Sequence, residues 1–222
     1  MATARHKKGD IMKSVLAIMG IGFAIVAIGA TASAQSPPRE IAGYRLGSNI
    51  SAYGDRIGSE NAYPVRLRPY LKEAVVSVPQ GFASGYVVYG VCAAPGTIVR
   101  IKVKYEDEGR AFFDRLLGAL KKQYGEPSQY VGDPFQAYVA WKWSFNVSKN
   151  EKITMILSHY DGDDEEHTQG NALKLSLTSQ IAQESRCHEA QRRKEQIQDS
   201  KGKARFPAPA DAEAWRRWLP AP

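Results

Sequence analysis

Side chains whose types and spacing could do chemistry crowd into one stretch of this chain, HYDGDDEEHTQG, running from His159 to Gly170. Asp161, Asp163 and Glu165 between His159 and His167 offer the carboxylate and imidazole donors of a divalent-cation site. Set against a calcium-binding loop the register fails. Glu166 stands where the sharp-turn glycine belongs and Ala172 where the closing bidentate glutamate belongs. A charged hairpin tip kept in water accounts for the same residues and is the favoured reading over a casual ion site, so neither metal nor cofactor is expected.

Nucleophilic catalysis needs a hydroxyl or thiol beside a base that a third group orients. The bases on offer are His159, His167 and His188. The first two border the acidic turn, and the third lies in a charged segment next to Cys187. There is no G-x-S-x-G elbow and no phosphate-cradling glycine loop, while paired carboxylates for glycoside cleavage stay open. No catalytic residue is assigned and a non-enzyme is expected. The rival is a small periplasmic hydrolase, which would need His159 or His188 beside a carboxylate in a deep polar pocket.

Cys92 and Cys187 are the two cysteines. In an exported chain an even count points to a disulfide, against the alternative of two unrelated buried thiols. Two lone cysteines lack the paired spacing of a zinc site.

The remaining chemistry-bearing cluster is the end, DAEAWRRWLPAP. Trp215, Trp218 and Leu219 share a helical face at i, i+3 and i+4, with Arg216 and Arg217 beside them. Aromatic anchors of this kind suit a groove on a protein partner, and the arginines suit a peripheral contact with an anionic membrane. Docking on the chain's own domain, covering a gap in the sheet or helix, is weighed above either.

The elements that must position these groups are legible from periodicity. In EGRAFFDRLLGALKKQYGEP, Phe113, Leu116, Leu117, Leu120 and Tyr124 form an apolar stripe, Asp107 can cap the start, and Gly125 and Pro127 close it. The period is two on either side. Ala74–Val78, Tyr86–Cys92 and Ile98–Tyr105 read as strands before the helix, and Tyr138–Val147, Ile153–Tyr160 and Leu173–Leu177 as an antiparallel meander after it. Residues 59–72, with Pro64 and Pro69, read as an irregular crossing segment.

Val139, Trp141, Trp143 and Phe145 alternate along one strand. They are expected as core under Leu116 and Leu120, with a ligand platform as the alternative. Arg100, Lys102 and Lys104 alternate opposite Val99, Ile101 and Val103; a solvated face is favoured over a contact for an acidic partner. The expected fold is α+β: an antiparallel sheet of about five to six strands with one central helix (about 108–125) on one face, plus a C-terminal charged helix.

The sequence further divides into a candidate signal peptide (1–34), a mobile lead-in (35–40), the α+β domain (41–180), a charged helical extension (181–205), and a Pro-rich linker with the Trp-bearing tail (206–222). Arg5 to Lys13 followed by Val15–Ala30 and Ala32-Ser33-Ala34 gives the basic start, apolar core and small-residue exit of a secretory signal. Cleavage is expected near Ala34, with an uncleaved anchor as the alternative. The formal charge of +7 over 222 residues falls to about +4 without the leader. Most of that excess lies in residues 184–222, so nucleic acid is not an expected partner.

Gly-Tyr-Arg-Leu-Gly (43–47), the helix ending Lys-Lys-Gln-Tyr-Gly-Glu-Pro (121–127), the Trp-bearing strand and Leu-Lys-Leu-Ser-Leu (173–177) together resemble small exported bacterial α+β domains. More distantly, they are similar to outer-membrane assembly lipoprotein modules and β-lactamase-inhibitor-protein-like modules. The resemblance implies a helix-on-sheet fold over residues 41–180 and carries no functional residue across. Lipid attachment does not transfer, because no cysteine lies near the cleavage point. The reading is an exported binding or envelope-assembly module acting through protein–protein contacts, with a hydrolase or a small-ligand carrier as alternatives.

Overall fold

Residues 36–135, 137–162, 167–202 and 215–216 are described by the computed structural model. The chain separates into Met1–Ser33 and Ala34–Pro222, and everything below concerns the second unit. The candidate signal peptide and most of the linker and tail lie outside the described residues.

The fold is α+β, with a large antiparallel sheet and a C-terminal helix. A short hairpin, β1 (Glu40–Ile41) and β2 (Tyr44–Arg45), leads into two 3₁₀ stretches, Ile50–Arg56 and Ser59–Asn61. Six strands and a helix follow: β3 (Tyr63–Val65), β4 (Arg68–Val75), β5 (Phe82–Gly90), β6 (Ile98–Tyr105), α1 (Arg110–Tyr124), β7 (Gln129–Tyr130) and β8 (Tyr138–Ser148). Then come β9 (Glu151–Tyr160), β10 (Gly170–Leu177) and α2 (Thr178–Gly202). The main sheet has eight strands in the order β3-β4-β5-β6-β10-β9-β8-β7, above the five to six expected.

The extra strands sit where prolines obscured them. Pro64 lies in β3, the sheet edge, where a missing N–H costs no ladder bond on the outer side. Pro69 lies at the start of β4, ahead of its pairing with β5, which begins at Leu71. β7 is two residues long, too short to show a period.

One face of the sheet is apolar but for the buried His159–Asn171 pair. Val139, Trp143, Ile153, Met155, Leu157, Leu173, Leu175, Ile101, Val103 and Val87 are buried there in one cluster. α1 covers this face with Phe113 and Leu120 buried, and Leu116 and Leu117 pack beside them. Tyr44, Leu46 and Ile57 from the N-terminal segment join the same core. Arg39, in the segment expected to be mobile, forks onto Glu151 at 2.8 and 2.6 Å and is tied to the domain.

The helix stops at Gly125, whose φ of +80° suits a residue without a side chain. The Trp143 indole N–H donates to the Gly125 carbonyl at 2.8 Å. Core packing and helix termination therefore share one residue. At the other end Gly109, not Asp107, is the capping residue; the Asp107 carboxylate instead accepts the Gly109 N–H at 2.9 Å.

α2 begins at Thr178, earlier than expected, directly from β10. Cys92 and Cys187 form a disulfide, with their Cα atoms 5.9 Å apart. One turn away, the fully buried Glu184 carboxylate accepts the backbone N–H groups of Cys92, Ala93 and Ala94 at 2.8, 2.9 and 2.7 Å. A carboxylate in a nest of three amides is a charge-assisted anchor. Gly90 is required beneath it, since a Cβ there would come within 2.4 Å of the Glu184 carboxyl carbon.

Candidate functional site

The second face of the sheet is where the unabsorbed chemistry lies. Strand alternation sends every second side chain to it, and the register fixes which ones meet. Lys102 on β6 stands directly opposite Lys174 on β10, and Arg100 opposite Ser176. One strand further, Lys174 faces Ile156 and Ser176 faces Thr154, and Lys142 on β8 faces Ile156. Tyr86 on β5 flanks Lys102 on the other side, its ring 5.7 Å from the Lys102 ammonium.

These residues line two adjoining hollows. One, of about 250 Å³, is bounded by Lys102, Tyr138, Ser158, His167, Thr168 and Lys174. The other, of about 340 Å³, is bounded by Arg68, Arg100, Lys142, Thr154, Ser176 and the start of α2 at Thr178 and Ile181. Ile156 and Lys174 belong to both, so the two form one groove. His167 and Thr168, just before β10, wall one end and α2 the other. Thr178 and Ser179 fix that wall by bonding the Lys152 carbonyl and N–H at 3.1 and 3.2 Å.

The groove is electrostatically unbalanced. Arg100, Lys102 and Lys174 are half-buried, which corrects the expectation that the basic row on β6 is a solvated face. Burial pushes the Lys174 ammonium down to about 8, and the neighbouring Arg100, Lys102 and Arg68 charges push the same way. Lys102 is lowered by burial and by Arg100, with Glu73 partly opposing. Arg100 is lowered by burial as well. Burial and the Glu73 carboxylate hold the Tyr86 phenol up at about 12, in its neutral form.

Glu73 is engaged by the Tyr63 hydroxyl at 2.6 Å. Lys102 donates to the Thr168 hydroxyl and Arg100 to the Ser176 hydroxyl at 3.3 Å; neither partner brings a negative charge. By contrast Lys104, the third of the row, pairs with Glu108 at 2.5 Å.

The other sequence-derived candidates fall elsewhere. His159 is buried on the apolar face against Phe113, ring centroids 5.6 Å apart. Its Nδ1 lies 2.8 Å from the Asn171 side-chain oxygen, and the Asn171 amide donates to the Asp107 and Gly109 carbonyls at 2.8 and 3.0 Å. With both amide hydrogens committed, Asn171 can only accept from the ring, so Nδ1 carries the proton. The group His159 meets is an amide that fixes the start of α1.

His188 packs on Tyr70, and His167 stacks on Tyr138 with ring centroids 4.3 Å apart. Of the acidic turn, residues 163–166 lie outside the described residues. Among the described residues no three His, Cys, Asp or Glu side chains gather as metal ligands. Trp143 lies under α1, and Trp141 is half-buried against Tyr130 and Lys121, so the aromatic row is core. In the tail, Trp215 and Arg216 are helical and exposed; Arg217, Trp218 and Leu219 lie outside the described residues. A further hollow of about 400 Å³ among Ile50–Glu60 holds Asp55 and Glu60 but no base or cation.

Sequence reasoning had Arg100 and Lys102 in hand but missed Lys174, Arg68, Lys142 and Thr168. The alternation Leu173, Leu175, Leu177 against Lys174 was the available signal. What it lacked was the β6–β10 pairing, which joins strands some 70 residues apart. No family model, curated protein or solved structure matches the chain.

Proposed function

We propose that this chain is an exported, non-enzymatic binding module, periplasmic in a bacterial envelope, that works through protein–protein contacts made by the open basic face of its sheet. One observation carries the reading: Arg68, Arg100, Lys102 and Lys174 converge on a groove where, among the described residues, Glu73 is the carboxylate acting on Arg100 and Lys102, and Lys174 is acted on by cations alone. Like charges at opposing positions of adjacent strands destabilise a sheet. A fold that retains them half-buried recovers that cost when an acidic surface docks. The Trp-bearing tail, Trp215 to Leu219, serves as a second contact, with peripheral membrane association as its other use.

The test is a crosslinking pull-down of the mature chain from its own periplasm. It compares wild type, Lys102→Glu with Lys174→Glu, and a control reversal at Lys149, an exposed lysine outside the groove. A partner lost with the groove variant and kept with the control supports the reading. Capture indifferent to the groove charges overturns it.

A further inference from the structure

We propose that the groove takes an extended acidic polypeptide segment laid across β6, β10, β9 and β8, with one carboxylate seated between Lys102, Lys174 and the Thr168 hydroxyl and a second in the adjoining hollow that Lys142 shares with Arg68 and Arg100. The inference rests on the binding reading above and names the chemistry of the partner.

Three features select this occupant. The first is length. From Lys102 to Lys142 the cations span three interstrand steps, roughly 14 Å at about 4.8 Å per step. A single inorganic oxyanion satisfies one of the two hollows and leaves the other charged. An extended peptide places alternate side chains about 6.6–7 Å apart on one face, so carboxylates at i and i+2 or i+4 reach both.

The second is the floor. Ile156 lies between the two hollows and belongs to each, giving an apolar seat for the methylenes of a glutamate between the charged ends. The third is what the aromatic rings are doing. A single-stranded nucleic acid binder presents free aromatic faces for bases, whereas Tyr138 is already stacked on His167 and Tyr86 already faces Lys102.

Seating a carboxylate here favours the charged form of Lys174. Among the described residues, the titratable groups that face it are Lys102 and Arg100 from β6, Arg68 from β4, Lys142 and Tyr138 from β8, and His167, none of them a carboxylate. Binding therefore brings a proton into the groove wherever free Lys174 is partly neutral. Affinity for the segment falls as pH rises through about 8.

The experiment titrates the mature chain with a blocked hexaglutamate peptide at low salt, by calorimetry at pH 8 in two buffers of different ionisation enthalpy and by NMR of the lysine Nζ groups. Parallel titrations use inorganic phosphate and a hexathymidylate strand. Expected are saturable peptide binding that shifts Lys102 and Lys174, net proton uptake, and a loss of tenfold or more in affinity in Lys174→Met and in Lys102→Met. Proton uptake should vanish in Lys174→Met. Thermal melts of both variants confirm that they fold.

Peptide binding that leaves the groove resonances unmoved, phosphate binding as tightly as peptide, or hexathymidylate binding more tightly would each overturn the assignment. Failure here is separable from failure of the broader reading. Partner capture that still depends on Lys102 and Lys174 while hexaglutamate does not bind sinks the acidic segment alone.

Discussion

The two faces of the sheet are built from the same strands, residue by residue in alternation, yet they are finished differently. On one, Trp143, Phe113 and Leu175 are buried under α1 with their polar atoms accounted for. On the other, Lys102 and Lys174 sit opposite each other and half-buried; among the described residues Glu73 acts on Lys102 and no carboxylate acts on Lys174. The first face is what a fold needs: apolar area removed from water, at about 25 cal/mol per Å². The second works against the fold, because removing cations from water beside other cations is unfavourable. A feature that stability does not explain is the better guide to function, and the contrast turns into substitutions with opposite signs.

The largest effect belongs on the apolar face. Trp143→Ala deletes a buried indole and its bond to the Gly125 carbonyl, and should cost about 4–5 kcal/mol. Urea unfolding should show the midpoint collapsing with little change in slope. A loss below about 1 kcal/mol would mean that α1 does not seal that face.

The disulfide comes next. It closes a separation of 95 residues, for which chain-entropy arithmetic gives an upper figure of about 4.7 kcal/mol; roughly 3 is expected for Cys92→Ala with Cys187→Ala, since residual denatured structure lowers the yield. The groove should survive the change, because Glu184 still holds residues 92–94 through three amides. Loss of hexaglutamate binding in that variant would show that the end wall depends on the bridge instead.

How much of this contrast the sequence disclosed follows from the range of each interaction. The 3.6-residue stripe of α1 and the two-residue alternation of β6, β8, β9 and β10 are local, and each of those elements was legible. Pro64 and Pro69 hid β3 and the first half of β4, whose end was read as Ala74–Val78, because a proline excludes a central strand position but not an edge or a strand's first residues. The cysteine count pointed to the Cys92–Cys187 bridge, yet nothing marked Glu184 as different from its charged neighbours; its nest exists only once α2 lies against residues 92–94. The candidate site was half legible. Lys102 and Lys174 each read as outward-facing, which is true of their strands, but their meeting depends on register between strands distant in sequence, and their burial on an end wall supplied by α2.

Lys174→Met tests the basic face with the sign reversed. The folded state holds this amine at about 8 against an ordinary 10.5. Folding therefore opposes its protonation, and the penalty is fully present below about pH 8. The unfolded chain binds more protons between about 8 and 10.5, so wild-type stability should rise with pH across that window. Methionine keeps the aliphatic stem and removes the charge. It should stabilise the protein by about 1–3 kcal/mol at pH 7, raising Tm by several degrees, while abolishing proton uptake with the acidic peptide. The advantage should shrink as pH climbs to 10.5. A destabilised Lys174→Met at pH 7 would mean that the charge is already compensated in the free protein, and the groove would lose its claim to an acidic ligand.

The smallest effect is expected in the tail. Trp215 stands in a helical turn with 44% of its surface exposed, beyond the Phe206–Asp211 linker. Under the proposal the tail acts on a partner and not on the domain, so deleting residues 207–222 should change unfolding free energy by less than about 0.5 kcal/mol. Under the proposal the tail and the groove contact one partner, and their affinities multiply when both engage. Tail deletion and Lys174→Met should therefore each weaken partner capture, with the tail deletion leaving hexaglutamate affinity untouched. A drop of several degrees in Tm on deletion would instead make the tail part of the domain, and its tryptophans would cease to be a recognition element. Equal loss of peptide binding would place the tail over the groove itself.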